Sequence, residues 1–240
     1  MKDTEKWVET KVRYRRGKAL PNIEYVNPGS VIMLGRQLRD YDRLIRKYSN
    51  GKLLDCGCGT VPYFPMYKEN ADSIVCTDWE SSKHDNIHID TFADLNQPLP
   101  FESSSFDTVI LTDVLEHIFE PRALLAELNR ILNDQGVVII SVPFYYWLHE
   151  EPHDFFRYTK FSLIGLTESS GLKVEELVEY GGLNDIFLDL INKTLFRSKF
   201  LAKMLMMTSN AIEYVPFYSK LRDLTKKKFP LGYCLVVRKC

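Results

Sequence analysis

The chain has 240 residues, of which 45% are hydrophobic and 26% charged, and its formal net charge is -1. These proportions are typical of a globular protein with a full α/β core, and they exclude a disordered or fibrous chain. The near-zero net charge gives no general case for a nucleic-acid partner. Because no apolar signal-peptide core and no run of 18 apolar residues occurs, neither secretion nor a membrane span is predicted.

The five cysteines form no CxxC pair and no metal-type spacing with histidine. Neither a disulfide framework nor a metal site is therefore predicted. Reduced thiols are typical of the cytoplasm, which is the expected location.

The predicted elements begin with a helix that follows Ser30 as its N-cap and has apolar residues at helical spacing through Ile45. Residues 1–50 are interpreted as an N-terminal helical cap. From Lys52 onward, short apolar runs alternate with helical patterns, which is typical of an α/β, doubly wound, mostly parallel sheet. Strands are expected at 52–56, 73–77, 87–92, 106–112, 137–142, 173–180 and 232–238. Helices are expected near 61–68, at 121–132 with Gly136 as the closing residue, and at 159–166 after Thr159 as a cap.

The first strand leads into a turn with an acid and two glycines, Asp55, Gly57 and Gly59. One interpretation is an ordinary glycine turn, and the other is a turn that a cofactor approaches closely. A dinucleotide fingerprint would need a third glycine where the chain has Pro62, and Asp55 would repel a pyrophosphate. An acid instead suits a ligand that carries an ammonium and a sulfonium, such as S-adenosylmethionine.

Further acids follow the next strands. Asp78 ends the second strand, where a carboxylate accepts hydrogen bonds from ribose hydroxyls, and Trp79 can stack beside an adenine. Asp94 is a candidate acceptor for the adenine amino group. Taken singly, an acid after a strand is often only solvated.

Four motifs in this order resemble the class I S-adenosylmethionine-dependent methyltransferases over residues 51–143: Asp55-x-Gly57-x-Gly59, Asp78, Asp94-Leu95 and Asp113-Val-Leu-Glu-His117. The resemblance implies a Rossmann-like sheet of seven strands, mostly parallel with an antiparallel last strand. It places S-adenosylmethionine across the carboxyl ends of the first four strands. The implied cofactor contacts are Asp55, Cys56, Gly57, Gly59, Asp78, Trp79, Asp94, Leu95, Asp113 and His117. Val61 stands where many members have a third glycine.

The resemblance divides the chain into a methyltransferase domain, 51–182 and 230–240, and a helical insertion at 183–229. After the fifth strand, residues 142–159 form the acceptor loop, rich in aromatic and charged residues. A ligand is expected there because the loop leaves a carboxyl edge of the sheet. His149 or His153, oriented by Asp154, is the predicted base, with His117 as the alternative, and Tyr145, Arg157 and Tyr158 are the predicted substrate contacts. The competing interpretation is an aromatic lid with Asp154 and Arg157 as a structural pair.

The insertion is basic, with nine lysines and arginines against four acids in residues 185–229. Lys193, Arg197 and Lys203 are predicted to share one helical face. Basic amphipathic helices lie on anionic membranes or hold acidic substrates, which predicts a peripheral contact with the inner face of the membrane. The alternative is a packed subdomain or a dimer surface.

The pattern His149-x-x-Pro152-x-Asp154-x-x-Arg157 resembles a segment of bacterial methyltransferases associated with cell-surface glycan biosynthesis. The predicted function is methyl transfer to a hydroxyl of a glycan or lipid-linked intermediate. Two alternatives stay open: a methyltransferase for a free small molecule such as a quinone or secondary metabolite, and a catalytically silent S-adenosylmethionine-binding regulatory protein. The sequence does not predict the oligomeric state.

Overall fold

The computed structural model describes residues 1–80, 87–195, 198–212 and 215–240. Its N-terminal part begins with a hairpin of β1 (Val12–Arg15) and β2 (Lys18–Pro21). Arg16 and Gly17 both have positive φ, which gives the tight turn that matches the twist of paired strands. Helix α1 (Val31–Tyr48) follows. Residues 1–50 were predicted to be helical, but they contain this hairpin as well as α1. The sequence did not reveal the hairpin because its charged residues obscure the alternation of apolar and polar side chains.

Seven strands form the main sheet: β3 (Gly51–Cys56), β4 (Ala71–Asp78), β5 (Thr91–Phe92), β6 (Phe106–Thr112), β7 (Leu132–Pro143), β8 (Leu172–Tyr180) and β9 (Gly232–Lys239). Their spatial order is β5-β4-β3-β6-β7-β9-β8. The first five strands in this order, from β5 to β7, run parallel to one another. Strand β9 is antiparallel to both of its neighbours, β7 and β8. This arrangement confirms the predicted fold class. Its order reverses beside β3, and such a switch point opens a crevice at the carboxyl edge.

Helices α2 (Phe64–Tyr67), α3 (Pro121–Ile131) and α4 (Lys160–Ser169) connect these strands. Thr159 caps α4 as predicted, since its hydroxyl accepts the Ser162 N–H at 3.2 Å. Ser30 occupies the N-cap position of α1, but its hydroxyl bonds the Tyr146 hydroxyl at 2.5 Å instead of the helix backbone. Gly136 lies inside β7 and does not close α3, because the chain is already extended from Leu132.

Two apolar clusters cover the two faces of the sheet. Leu53 of β3 and Ile110 of β6 belong to the cluster under α1 and α2. Their neighbours Leu54 and Val109 belong to the cluster under α3 and α4. Successive side chains of a strand point to opposite faces, so a central strand covered on both faces needs consecutive apolar residues. The sequence shows such short apolar runs in β3 and β6.

Residues 183–229 form three helices, α5 (Leu183–Leu195), α6 (Lys199–Ile212) and α7 (Pro216–Thr225). A buried ion pair joins them to the domain: Arg36 Nε of α1 lies 2.7 Å from Asp185 Oδ1 of α5. Tyr218 of α7 donates to the same carboxylate. No helix among the described residues has the length and apolar content that crossing a bilayer needs.

The predicted basic face of the insertion needs correction at Lys193. Its ammonium group is buried, pairs with Asp189 and lies 4.0 Å from the centre of the Tyr146 ring. The Lys193 side chain therefore faces the acceptor loop and not solvent. Arg197, the second predicted member of that face, lies outside the described residues.

Candidate active site

The acids predicted from the sequence line one edge of the sheet. Asp94 follows β5, Asp78 ends β4, Asp55 lies near the end of β3, and Asp113 follows β6. These four strands are neighbours in the order in which they are named. The Ala93 N–H donates to the Asp78 carbonyl at 3.0 Å, which holds the segment after β5 beside the end of β4.

The glycine turn after β3 places backbone without side chains at this edge. Gly57 has φ 73°, and its N–H and that of Cys58 both donate to the Thr77 carbonyl of β4. A Cβ atom at Gly57 would lie 2.5 Å from Val114 Cγ2, so no side chain fits there. Val61, in the place of a third glycine, also has a positive φ of 52°, a strained conformation for a β-branched residue.

Asp78 and Trp79 suit a nucleoside. The two carboxylate oxygens of Asp78 accept the N–H groups of Gly59 and Trp79, each at 2.7 Å. The indole of Trp79 is 45% exposed, and Asp94 is exposed at the same edge. A partly exposed carboxylate beside an exposed flat ring can accept ribose hydroxyls while the ring covers a base. These residues fit the nucleoside part of S-adenosylmethionine.

Asp55 is enclosed by protein groups and is not exposed at the edge. Its side chain is buried, and the Tyr67 hydroxyl donates to its Oδ2 at 2.6 Å. Burial, opposed by that hydrogen bond and assisted by the charge of Asp78, raises the pKa of Asp55 to about 6. A direct contact between Asp55 and the cofactor stays a prediction.

Three of the predicted contact residues have side chains that point into the protein, and their ligand contacts stay predictions. Cys56 and Leu95 point into the apolar cluster under α3 and α4, where only their backbone can meet a ligand. Tyr158 is also buried, and its hydroxyl donates to the Leu115 carbonyl at 3.0 Å. Strand alternation decides this for Cys56, since its neighbour Asp55 points to the other face.

Asp113 is held by protein groups. Gln37 Nε2 of α1 donates to both of its carboxylate oxygens, at 2.7 and 2.9 Å. Burial raises the pKa of Asp113, while the charge of Lys11 opposes the rise. Its cofactor role stays a prediction.

The N-terminal segment covers the glycine turn. Trp7 Nε1 donates to the Val61 carbonyl at 2.9 Å, and the hydroxyls of Thr10 and Thr60 are 2.8 Å apart. Tyr14 donates to the Pro62 carbonyl.

Within the acceptor loop, Asp154 and Arg157 form a two-pronged ion pair, with Nη1–Oδ1 and Nη2–Oδ2 distances of 2.6 and 2.7 Å. Arg157 also donates to the carbonyls of Tyr146 and Trp147, and Asp154 accepts the His149 N–H. Burial alone would raise the pKa of Asp154, but these hydrogen bonds lower it to about 2. This geometry favours the structural-pair interpretation, and a substrate role of Arg157 stays a prediction.

The two predicted bases occupy different surroundings. The His149 ring is half-buried beside Asp154, and burial together with His117 lowers its pKa. The His153 ring is exposed and lies edge-on to Trp79, with the ring centroids 5.3 Å apart. Tyr145, a predicted substrate contact, is also exposed. His153 therefore connects the acceptor loop to the nucleoside side of the edge.

His117 lies against the acceptor loop, and its predicted contact with the cofactor stays a prediction. Its Nδ1 lies 2.8 Å from the His153 carbonyl, and its ring is 4.6 Å from that of His149, centroid to centroid. The chain folds this way because a single 3₁₀ turn, Leu115–His117, follows β6 directly under the loop.

Glu116 was missed as a site residue by the sequence analysis. It is fully buried, and within the described part of the chain neither carboxylate oxygen has a hydrogen-bond partner. Burial and the nearby Asp113 raise its pKa well above the usual range. The Asp113-to-His117 motif contains Glu116, but no spacing rule indicates that its side chain turns inward.

Comparisons with known proteins agree with this fold. A family model described as a methyltransferase domain matches residues 33–177. The chain therefore belongs to this family, and its fold and cofactor class are those of the class I S-adenosylmethionine-dependent methyltransferases.

Solved structures show the same fold at low identity. An S-adenosylmethionine-dependent methyltransferase from Mesorhizobium loti superposes with a TM-score of 0.56 at 14% identity, covering 87% of this chain and all of that one. One from Archaeoglobus fulgidus gives 0.53 at 15% identity, covering 86% and 96%. An uncharacterised protein of Methanocaldococcus jannaschii is 30% identical over 102 residues, and this match spans 41% of the present chain and only 45% of that relative.

Proposed function

We propose that this protein transfers the methyl group of S-adenosylmethionine to a hydroxyl of a glycan or lipid-linked intermediate, at the inner face of the cytoplasmic membrane. The main support for this class of acceptor is the contact between the insertion and the acceptor loop. There Lys193 of α5 packs on the Tyr146 and Trp147 rings. An apolar, basic insertion thus adjoins the loop where an acceptor is expected.

The cofactor side is assigned to the glycine turn, Asp78 and Trp79. Asp78 holds the ribose, Trp79 covers the adenine, and the bare backbone of Gly57 allows close approach. When bound, S-adenosylmethionine supplies an electrophilic methyl group on a cationic sulfur. Acids along the edge favour that cation by opposite charge.

On the acceptor side, alignment of the acceptor hydroxyl with the methyl group contributes more to catalysis than removal of the hydroxyl proton. Aligning two reactants contributes about 7–11 kcal/mol, whereas a general base contributes roughly 3–5 kcal/mol. The Asp154–Arg157 pair fixes the loop for alignment. We assign proton removal to His153, because its ring is exposed and touches Trp79. His149 and Asp154, the other predicted members, then position the loop.

Exposed apolar side chains of the insertion support a lipid-linked acceptor. They are Phe187, Leu190, Ile191, Phe200, Leu201, Met204, Met207, Val215, Phe217 and Leu224. They lie on three helices of which α5 packs against both others, and exposed apolar surface concentrated in one part of a protein favours an interaction site. Lysines 226 to 228 follow α7 and would meet anionic headgroups.

The first experiment is calorimetric titration of the wild type and Asp78→Ala with S-adenosylmethionine and S-adenosylhomocysteine. We expect micromolar binding that weakens by about tenfold to a hundredfold in the variant, since a charged hydrogen bond contributes about 1.5–3 kcal/mol. Absence of binding to either compound would refute the proposal. Asp72→Ala, an exposed acid at the start of the same strand, is the matched control and should bind like the wild type.

The second experiment follows methyl transfer from labelled cofactor to lipid, glycan and small-molecule extracts. Label in a lipid-linked or glycan hydroxyl, reduced about 10²–10⁴-fold in His153→Ala, supports the proposal. Label only in a free small molecule would favour the small-molecule alternative. Cofactor binding with no transfer to any extract would favour the regulatory protein.

A further inference from the structure

Three side chains meet at the junction of the 3₁₀ turn and the acceptor loop without forming ordinary hydrogen bonds to one another. Glu116 Oε1 lies 3.8 Å from His117 Nε2 and 4.0 Å from His149 Nε2. One ligand atom from each residue falls within 4.8 Å of the other two. We propose that Glu116, His117 and His149 bind a divalent transition-metal ion.

The burial of Glu116 supports the metal site independently of the distances. Its side chain is fully buried, with no hydrogen-bond partner for either oxygen among the described residues. An ionised carboxylate buried without partners costs several kcal/mol, and proteins offset that cost by protonating it, pairing it or placing it on a metal. No lysine or arginine forms an ion pair with Glu116 in the described part of the chain, although Arg157 lies near enough to act on it electrostatically.

The Nδ1 atom of each ring faces a group of the acceptor loop. His117 Nδ1 lies 2.8 Å from the His153 carbonyl, to which it donates in the tautomer that leaves Nε2 free to ligate. His149 Nδ1 lies 3.3 Å from Asp154 Oδ2 and 3.4 Å from Arg157 Nη2, so its Nε2 ligates in the tautomer in which Nδ1 donates to Asp154. In both rings Nε2 is the nitrogen that faces the buried carboxyl group.

The two separations that involve Glu116 are close to those of a metal site, and the third, between the two histidines, is within 4.8 Å. Donors about 2.0–2.2 Å from an ion stand roughly 3.4 Å apart at tetrahedral angles, so a shift of about half an ångström brings Glu116 Oε1 to the required distance from each Nε2. Two neutral imidazoles and one carboxylate suit Zn²⁺ or Fe²⁺ and leave further coordination positions open. The hard ions Mg²⁺ and Ca²⁺ prefer oxygen donors.

The position also suggests what an open coordination site would do. Resting on the proposed function, we infer that the ion orients the acceptor hydroxyl and lowers its pKa, because a divalent ion favours the deprotonated form of a bound oxygen. His153 then receives the hydroxyl proton. Metal binding itself depends on neither the cofactor nor the acceptor.

The test uses the full chain, freed of metals by chelation, with Zn²⁺ uptake measured by elemental analysis and Co²⁺ binding followed by visible absorption. We expect about one ion per chain, and affinity at least about a hundredfold weaker in Glu116→Gln and His149→Gln. His153→Gln is the matched control, because only its backbone carbonyl takes part. Cys240→Ser excludes the exposed thiol as a ligand.

Thermal unfolding provides a readout that a folding defect cannot imitate. Glu116→Gln replaces a buried carboxyl group by an amide of the same shape, so the metal-free variant should be about as stable as the wild type. Zn²⁺ should then raise the Tm of the wild type and not that of the variant. Equal Zn²⁺ uptake in wild type and Glu116→Gln, or no uptake by either, would overturn the metal site and leave the methyltransferase proposal standing.

Discussion

Gly57 and Gly165 offer the same substitution in opposite surroundings. Gly57 has φ 73° and no room for a Cβ atom beside Val114, whereas Gly165 lies in α4 with no atom within 4 Å of the place that an alanine methyl group would take. We expect Gly57→Ala to lower the free energy of unfolding by about 1–3 kcal/mol. Gly165→Ala should raise it by roughly 0.5–1 kcal/mol, since alanine is the better helix former.

Urea unfolding of both variants in cofactor-free protein checks this pair. The two changes add the same methyl group, so a common effect on expression or solubility would move them together. If Gly57→Ala unfolds like the wild type, the turn has more space than its contacts with Val114 indicate.

Asp55 should make stability depend on pH. Its carboxyl has a pKa of about 6 in the folded protein, against 3.8 ordinarily, so the native state binds this proton more tightly than the unfolded state does. The stabilisation is complete below about pH 4 and is lost as the pH rises through about 6. A difference of about two pKa units corresponds to about 3 kcal/mol.

The measurement compares wild type and Asp55→Asn by urea unfolding at about pH 4 and about pH 7. Asparagine retains an acceptor for Tyr67 and does not titrate, so the stability of the variant relative to the wild type should increase by about 3 kcal/mol over that range. A difference that stays constant with pH would show that Asp55 is not the group responsible.

At the scale of elements, the insertion is attached through a buried ion pair. Arg36 of α1 and Asp185 of α5 are both buried and lie 2.7 Å apart. Arg36→Met should cost about 3–5 kcal/mol, because it leaves a buried carboxylate without its cation. Arg36→Met combined with Asp185→Leu should recover most of that loss, since no unpaired charge remains.

An exposed pair on the same helix is the matched control. Arg46 and Asp42 of α1 lie 2.9 Å apart near solvent, and Arg46→Met should cost less than about 1 kcal/mol. Thermal melts of these variants separate the two cases. Equal losses for Arg36→Met and Arg46→Met would indicate that α5 is held mainly by its apolar packing.

At the scale of the whole molecule, the exposed face of the insertion should bring the protein to a membrane. Phe217 of α7 is 76% exposed, and Phe161 of α4, outside the insertion, is 75% exposed. The wild type should sediment with anionic vesicles at low salt and less at high salt. Phe217→Ser should weaken sedimentation, whereas Phe161→Ser should not.

Binding to anionic vesicles that Phe217→Ser leaves unchanged would move the contact away from α7. No sedimentation of the wild type would contradict the peripheral contact altogether. In that case the exposed apolar face would have to meet another protein surface, and the lipid-linked acceptor would lose its main support.

Local pattern was enough to predict most of the fold. Short apolar runs such as Val109–Leu111 predict strands buried on both faces, and Thr159 marks the start of α4. The order of the acids along the chain was also enough to place Asp78 and Asp94 at one edge, because parallel strands all end on the same side. The hairpin 12–21 was missed, since its alternating residues are charged and lie near the surface.

The sequence by itself therefore determined the class of fold and the edge of the sheet where the acids and the loop after the fifth strand lie, because these follow from periodicity and from where strands end. Only the tertiary structure decided where each side chain points: Tyr158 inward, Arg157 onto Asp154, and Lys193 onto the loop. It also brought Glu116 and His117 to His149, although more than thirty residues separate them from it in the chain. Such contacts depend on the packing of distant segments, and no local pattern encodes them.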